Sequence, residues 1–92
     1  MVPNHYTIVC EFRGGTYISQ VRATDEIAAV RVWEEKVGRE RPIPRSSSHV
    51  AAAVLRDLQQ FGLSSLTGLE NVWCFGGAVG STSVLGNLIL SR

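Results

Sequence analysis

Tyr6-Thr7-Ile8-Val9-Cys10-Glu11-Phe12-Arg13-Gly14-Gly15-Thr16-Tyr17-Ile18-Ser19-Gln20-Val21-Arg22-Ala23 is the stretch whose reading decides the fold. Apolar and polar residues alternate through it with period two, the pattern of a half-buried strand. Gly14-Gly15 supplies the positive φ angles of a two-residue hairpin loop. With that loop, Phe12 is expected opposite Tyr17, Cys10 opposite Ser19, Ile8 opposite Val21 and Tyr6 opposite Ala23. Tyr6, Ile8, Cys10, Phe12, Tyr17, Val21 and Ala23 then share one face, with Ser19 the polar member. Thr7, Val9, Glu11, Arg13, Thr16, Ile18, Gln20 and Arg22 share the other. A slip of one residue would destroy this division.

Beyond the hairpin, Thr24 is the expected N-cap of a helix from Asp25 to Val37, with Asp25 and Glu26 at its positive end. Ile27, Val30, Trp33 and Val37 recur at helical spacing, Ala29 borders them, and Gly38 is the expected stop. Arg39 to Ser48 reads as a linker, because Pro42 and Pro44 forbid a regular helix. Ser47 or Ser48 is expected to cap a second helix, His49 to Phe61, with the apolar stripe Val50, Ala53, Val54, Leu58 and Phe61, ended by Gly62. Leu63 to Gly68 reads as loop, Asn71 to Phe75 as a strand, Gly76 to Ser83 as a turn or broad hairpin loop, and Val84 to Ser91 as a last strand interrupted by Gly86. The order β-β-α-α-β-β predicts a single α+β domain over residues 1–92. Its architecture is a four-stranded antiparallel sheet with both helices on one face.

The first hairpin resembles the opening hairpin of the HicB-type antitoxin fold. That family continues with a Pro-Gly loop and a third strand, whereas here Thr24 opens a helix, so the resemblance stops at the hairpin.

The chain has 92 residues, 45% hydrophobic and 18% charged, with a formal net charge of +1. The charged share is below the usual value of about 25%. Some surface is therefore expected to face something other than water. A near-neutral chain has no global field for nucleic acid or an anionic membrane. No apolar run reaches the roughly 18 residues of a membrane span. Met1 to His5 lacks the basic and apolar segments of a secretory signal, and the cysteines, Cys10 and Cys74, form no close pair. A cytoplasmic protein with two buried, reduced thiols is expected.

Chemistry-bearing constellations are sparse. There is no G-x-S-x-G elbow, and only His5 and His49 offer a base. His5 points away from Cys10, so an enzyme reading rests on Cys74 with His49. Two isolated histidines and two isolated cysteines do not make the close ligand pairs of a zinc site. Phe75 to Ser83 is glycine-rich but lacks the lysine of a phosphate-binding loop. Glu11 and Arg13 are expected to pair on the polar face, and Arg31 with Glu34 on the first helix. No cofactor and no metal is expected.

The second hairpin is more telling. Asn71, Trp73 and Phe75 alternate with Val72 and Cys74, and Val84, Leu88 and Leu90 alternate with Leu85 and Ile89. Both faces are apolar, yet the helices cover only one. The expected function is a non-catalytic interaction module, self-associating as a homodimer or binding a protein partner through its sheet face or edge. Trp73 and Phe75, with Val84 and Leu88, are the expected interface. The alternative is a nucleic-acid or phosphate-ligand module using Arg39, Arg41 and Arg45. Glu40 within that cluster, the absent RNA-binding sheet pattern and the low net charge argue against it.

Overall fold

The computed structural model describes residues 3–91, so the readings made on Met1, Val2 and Arg92 lie outside the described residues. Strands β1 (Asn4–Phe12) and β2 (Gly15–Ala23) are followed by α1 (Glu26–Glu40), α2 (Ser47–Phe61), β3 (Ser64–Ser65), β4 (Val72–Val79) and β5 (Thr82–Leu90). All pair antiparallel in the order β2-β1-β5-β4-β3. The α+β class holds, and the sheet has five strands rather than four. The added strand, Ser64–Ser65, pairs with Cys74 and Trp73. It lies where a loop was expected, because two serines carry no apolar alternation to announce a strand.

The first hairpin turns one residue earlier than expected. Arg13 and Gly14 occupy the loop with φ of 49° and 78°, the two positive values of a type I′ turn. Phe12 therefore pairs with Gly15, Cys10 with Tyr17, Ile8 with Ser19, Tyr6 with Val21 and Asn4 with Ala23. The pairing differs from the expected one by two residues along β2. A shift of two preserves every face assignment, whereas a shift of one would invert them all. Two contacts favour the observed register. Gly15 lacks the Cβ that would sit 2.7 Å from the Tyr17 hydroxyl, so the Tyr17 ring folds back over it. Arg13, in a backbone region costly for a side-chain-bearing residue, places its guanidinium carbon 5.2 Å from the Phe12 ring centroid. That contact replaces the expected Arg13–Glu11 ion pair.

The first helix is capped by Asp25, not Thr24: its carboxylate accepts from the Ala28 N–H at 2.8 Å. The helix runs through Gly38 to Glu40. Pro42 enforces the stop, and Arg41 ends it in the left-handed region, donating its N–H to Val37 O at 2.9 Å. Ala29, Val30, Trp33 and Val37 are buried, while Ile27 stands largely in solvent. The segment between the helices is pinned, not loose. Ile43 is buried in the core. The Ser47 hydroxyl accepts from the Ile43 N–H at 2.8 Å and donates to its carbonyl at 2.9 Å. Ser47 thus hooks the chain, while Ser46 occupies the cap position of α2 without a side-chain cap bond. Val50, Ala51, Ala53, Val54 and Leu58 are buried, and Gly62 closes the helix as expected. Phe61, the expected end of that stripe, is 71% exposed.

The broad loop expected over Gly76 to Ser83 is mostly strand. Val79 pairs with Thr82 around a tight Gly80-Ser81 turn. Gly86, expected to interrupt β5, is its packing centre. A Cβ there would lie 2.2 Å from Phe75 Cζ, so the Phe75 ring occupies the space that glycine leaves. Phe75 in turn meets Trp33 of α1, ring centroids 5.4 Å apart and tilted by 58°. Gly77 likewise admits the α2 backbone at Ala53, which its Cβ would meet at 3.1 Å. Burial of Trp33 alone is worth about 3–5 kcal/mol by the usual cost of Trp→Ala.

Candidate functional site: the uncovered sheet face and the β2 edge

Strand parity sorts the expected interface residues. Phe75, Val84 and Leu88 point toward the helices and are buried in the core, so they are not on the free face of the sheet. Trp73 lies on the same side, half-buried at the margin of the core, with its ring 6.3 Å from that of Tyr6. The reason is interlocking. The aromatic face of the second hairpin carries the glycines that let Phe75, Trp33 and α2 close on one another.

Among the described residues, the opposite face has no helix over it. Pairing registers place Val9 between Ile18 and Asn87, Asn87 beside Cys74, and Ile89 between Thr7 and Val72. Leu85 stands between Glu11 and Gly76. Ile18 is 67% and Leu85 59% exposed, and Val9, Val72, Cys74 and Ile89 are half-buried around them. One end of this face is polar. Gln20 Nε2 donates to the Thr7 hydroxyl at 3.2 Å, and Thr7 shares a hydrogen bond with Ser91 at 3.2 Å. Large apolar side chains left outside the core at neighbouring positions are the signal of a contact surface. Their parity, opposite to that of Trp73 and Phe75, was the signal available in the sequence.

The second feature is the outer edge of β2. The Gln20 carbonyl points out of the sheet, where the Lys36 ammonium donates to it at 3.1 Å. Backbone groups alternate sides along a strand, so those of Thr16, Ile18 and Arg22 point the same way. A cleft of about 240 Å³ runs beside this edge. Tyr17, Trp33, Val37 and Ile43 line it, and Lys36 and Glu40 charge its rim.

The remaining candidates are dispersed. Arg39, Arg41 and Arg45 are exposed at the end of α1 and in the following turn, and Arg39 contacts Glu40 at 3.9 Å. An exposed pair of this kind contributes little. Among the described residues this is the only ion pair, so Arg31 and Glu34 are not joined. Burial raises the Glu34 carboxyl above its ordinary value, with Glu35 adding to the effect and Arg31 opposing it. Arg13 is at the hairpin turn and Arg22 near the far end of β2, so the two do not form one basic edge.

Cys10 is buried beneath the helices, and desolvation pushes its thiol up to about 11, with Glu11 adding to the effect. Cys74 is half-buried on the uncovered face, so it is not the core thiol expected. The sheet separates the two sulfurs. It also separates Cys74 from His49, which is exposed on α2. Among the described residues no three His, Cys, Asp or Glu side chains gather as a metal-binding group. No helix among them is long and apolar enough to cross a membrane. Compared with known proteins, the chain matches no family model, no curated protein and no solved structure.

Proposed function

We propose that this chain is a non-catalytic protein-interaction module that self-associates through its sheet. The observation that carries the reading is the pair of exposed aliphatic side chains, Ile18 and Leu85, on a sheet face that neither helix covers. With Ile18 67% and Leu85 59% exposed, each leaves about 1–2 kcal/mol of burial free energy unused in the isolated chain. A second copy presents the same apolar patch and is the partner of matching chemistry. Two free thiols on opposite sides of the sheet fit a reducing compartment, and a cytoplasmic setting is part of the proposal.

Light scattering coupled to size exclusion over a dilution series tests the reading. The wild-type chain is expected to form a particle larger than its 10.0 kDa mass. Ile18→Lys, at a site two-thirds exposed where the fold has little packing to lose, is expected to return it to that mass. A monomer at every concentration, or an assembly indifferent to Ile18→Lys, refutes the reading.

A further inference from the structure

We propose that two copies join edge to edge along β2, antiparallel about a two-fold axis at Ser19, giving one continuous sheet across the pair. The inference rests on the self-association reading above and names its contact.

β2 is a nine-residue strand at the sheet's edge, without proline or bulge. Such an edge is a template for another strand unless something blocks it. Among the described residues, the outward backbone groups of Thr16, Ile18 and Arg22 have no partner strand, and only the Gln20 carbonyl is occupied, by a flexible lysine. The opposite edge is different: β3 covers the first part of β4, and Asp57 accepts from the Gly76 N–H at 3.3 Å farther along. The open edge on β2 therefore selects an extended backbone as its occupant.

Charge selects a second copy. Because α1 begins three residues after β2 ends, it runs back along the strand. Lys36 sits at the level of Gln20, and Glu40 lies one helical turn nearer the Gly15 end. That spacing is about 5–6 Å. Two strand residues span about 6–7 Å, so the two opposite charges flank Ser19 along the edge. A two-fold axis at Ser19 reverses the order in the partner, so Lys36 of each copy meets Glu40 of the other. The same axis pairs Ile18 with the partner's Gln20 and Thr16 with the partner's Arg22, leaving the Lys36 ammonium free to turn from the Gln20 carbonyl to the facing carboxylate. Ser19 meets its equivalent beside the cleft. The two uncovered apolar faces merge into one, with the isoleucines at the seam.

The test compares variants that touch only the edge with one that touches only the face, each checked for folding by circular dichroism and sized by light scattering. Lys36→Glu sets four carboxylates at the seam and is expected to weaken dimerisation at least tenfold. Lys36→Glu with Glu40→Lys restores opposite charges and is expected to recover the dimer. Ile18→Pro removes an N–H that makes no bond within the sheet, so it is expected to give a folded monomer. Leu85→Lys is expected to leave the dimer intact. Dimers that survive both Lys36→Glu and Ile18→Pro overturn the edge proposal. If Leu85→Lys dissociates those same dimers, the self-association reading stands while the edge falls. A wild-type chain monomeric at all concentrations overturns both.

Discussion

Gly86→Ala is expected to destabilise this protein, although alanine is ordinarily the better strand residue. Glycine loses more backbone freedom on folding, so replacing it within a regular element normally gains about 0.5–1 kcal/mol. At Gly86 the new methyl would meet three Phe75 ring atoms at 2.2, 2.4 and 2.7 Å, far inside contact distance. The ring cannot slide aside freely, because it is buried and tilted against Trp33 at 5.4 Å. Overpacking of this kind costs about 1–3 kcal/mol. Loss of the Phe75–Trp33 geometry adds about 0.5–1.5 kcal/mol. Against the backbone gain, the net is about 2 kcal/mol of destabilisation. In urea that lowers the midpoint by about 1–2 M at an m-value ordinary for a small domain. Phe75→Leu supplies the second arm. Alone it removes core volume and costs about 1 kcal/mol, but with Gly86→Ala it vacates the space the methyl needs. The double variant should therefore be more stable than Gly86→Ala alone, with a coupling of about 1 kcal/mol or more. A neutral or stabilising Gly86→Ala would refute the reasoning. So would a Phe75→Leu cost that is equal in the two backgrounds.

Three further outcomes follow from which polar groups and thiols the fold buries. The Cys10 thiol is raised from 9.0 to about 11 in the folded chain, so between those pH values the unfolded chain has released a proton that the native one keeps. Its contribution is complete below pH 9 and is lost as pH rises toward 11. Urea midpoints should fall across that window more steeply than in Cys10→Ala, which separates this effect from that of Tyr6, also raised by burial; equal slopes would refute the assignment. Native alkylation should modify Cys74 well before Cys10. Ser47→Ala leaves the buried Ile43 N–H without its acceptor and should cost about 1–3 kcal/mol, read as a thermal midpoint lowered by several degrees. A change under 0.5 kcal/mol would mean that water replaces the hydroxyl.

The faces of the strands were legible because parity is a local property. Tyr6, Ile8, Cys10 and Phe12 alternate with Thr7, Val9 and Glu11, and no rearrangement of the turn that keeps the count even can exchange them. The turn itself was not legible. Arg13-Gly14 and Gly14-Gly15 both supply positive φ, and they differ by two residues of pairing that parity cannot detect. The choice between them depends on where the Tyr17 ring finds room, which is set by Gly15 and the neighbouring strand. Helix ends were missed for a related reason. Gly38 permits a stop without requiring one, whereas Pro42 requires it, and the burial of Ile43 depends on a hook to Ser47 formed only once α2 is in place.

The interface residues expose the limit most clearly. The second hairpin is apolar on both faces, so hydrophobicity alone could not say which face the helices take. The deciding residues are the small ones: Gly86 makes room for Phe75, and Gly77 makes room for the α2 backbone at Ala53. Both lie on the parity of Trp73 and Phe75, and each would be a cavity on a free surface. A bulky aromatic set interleaved with glycines is therefore a covered face, because only a close-packed neighbour gives the missing side chains a purpose. Val72, Leu85 and Ile89 sit on the opposite parity, and there the one glycine, Gly76, opens no space that a helix fills. The apolar surface available to a partner is consequently the aliphatic face, and its exposed members meet the open strand edge at one residue, Ile18.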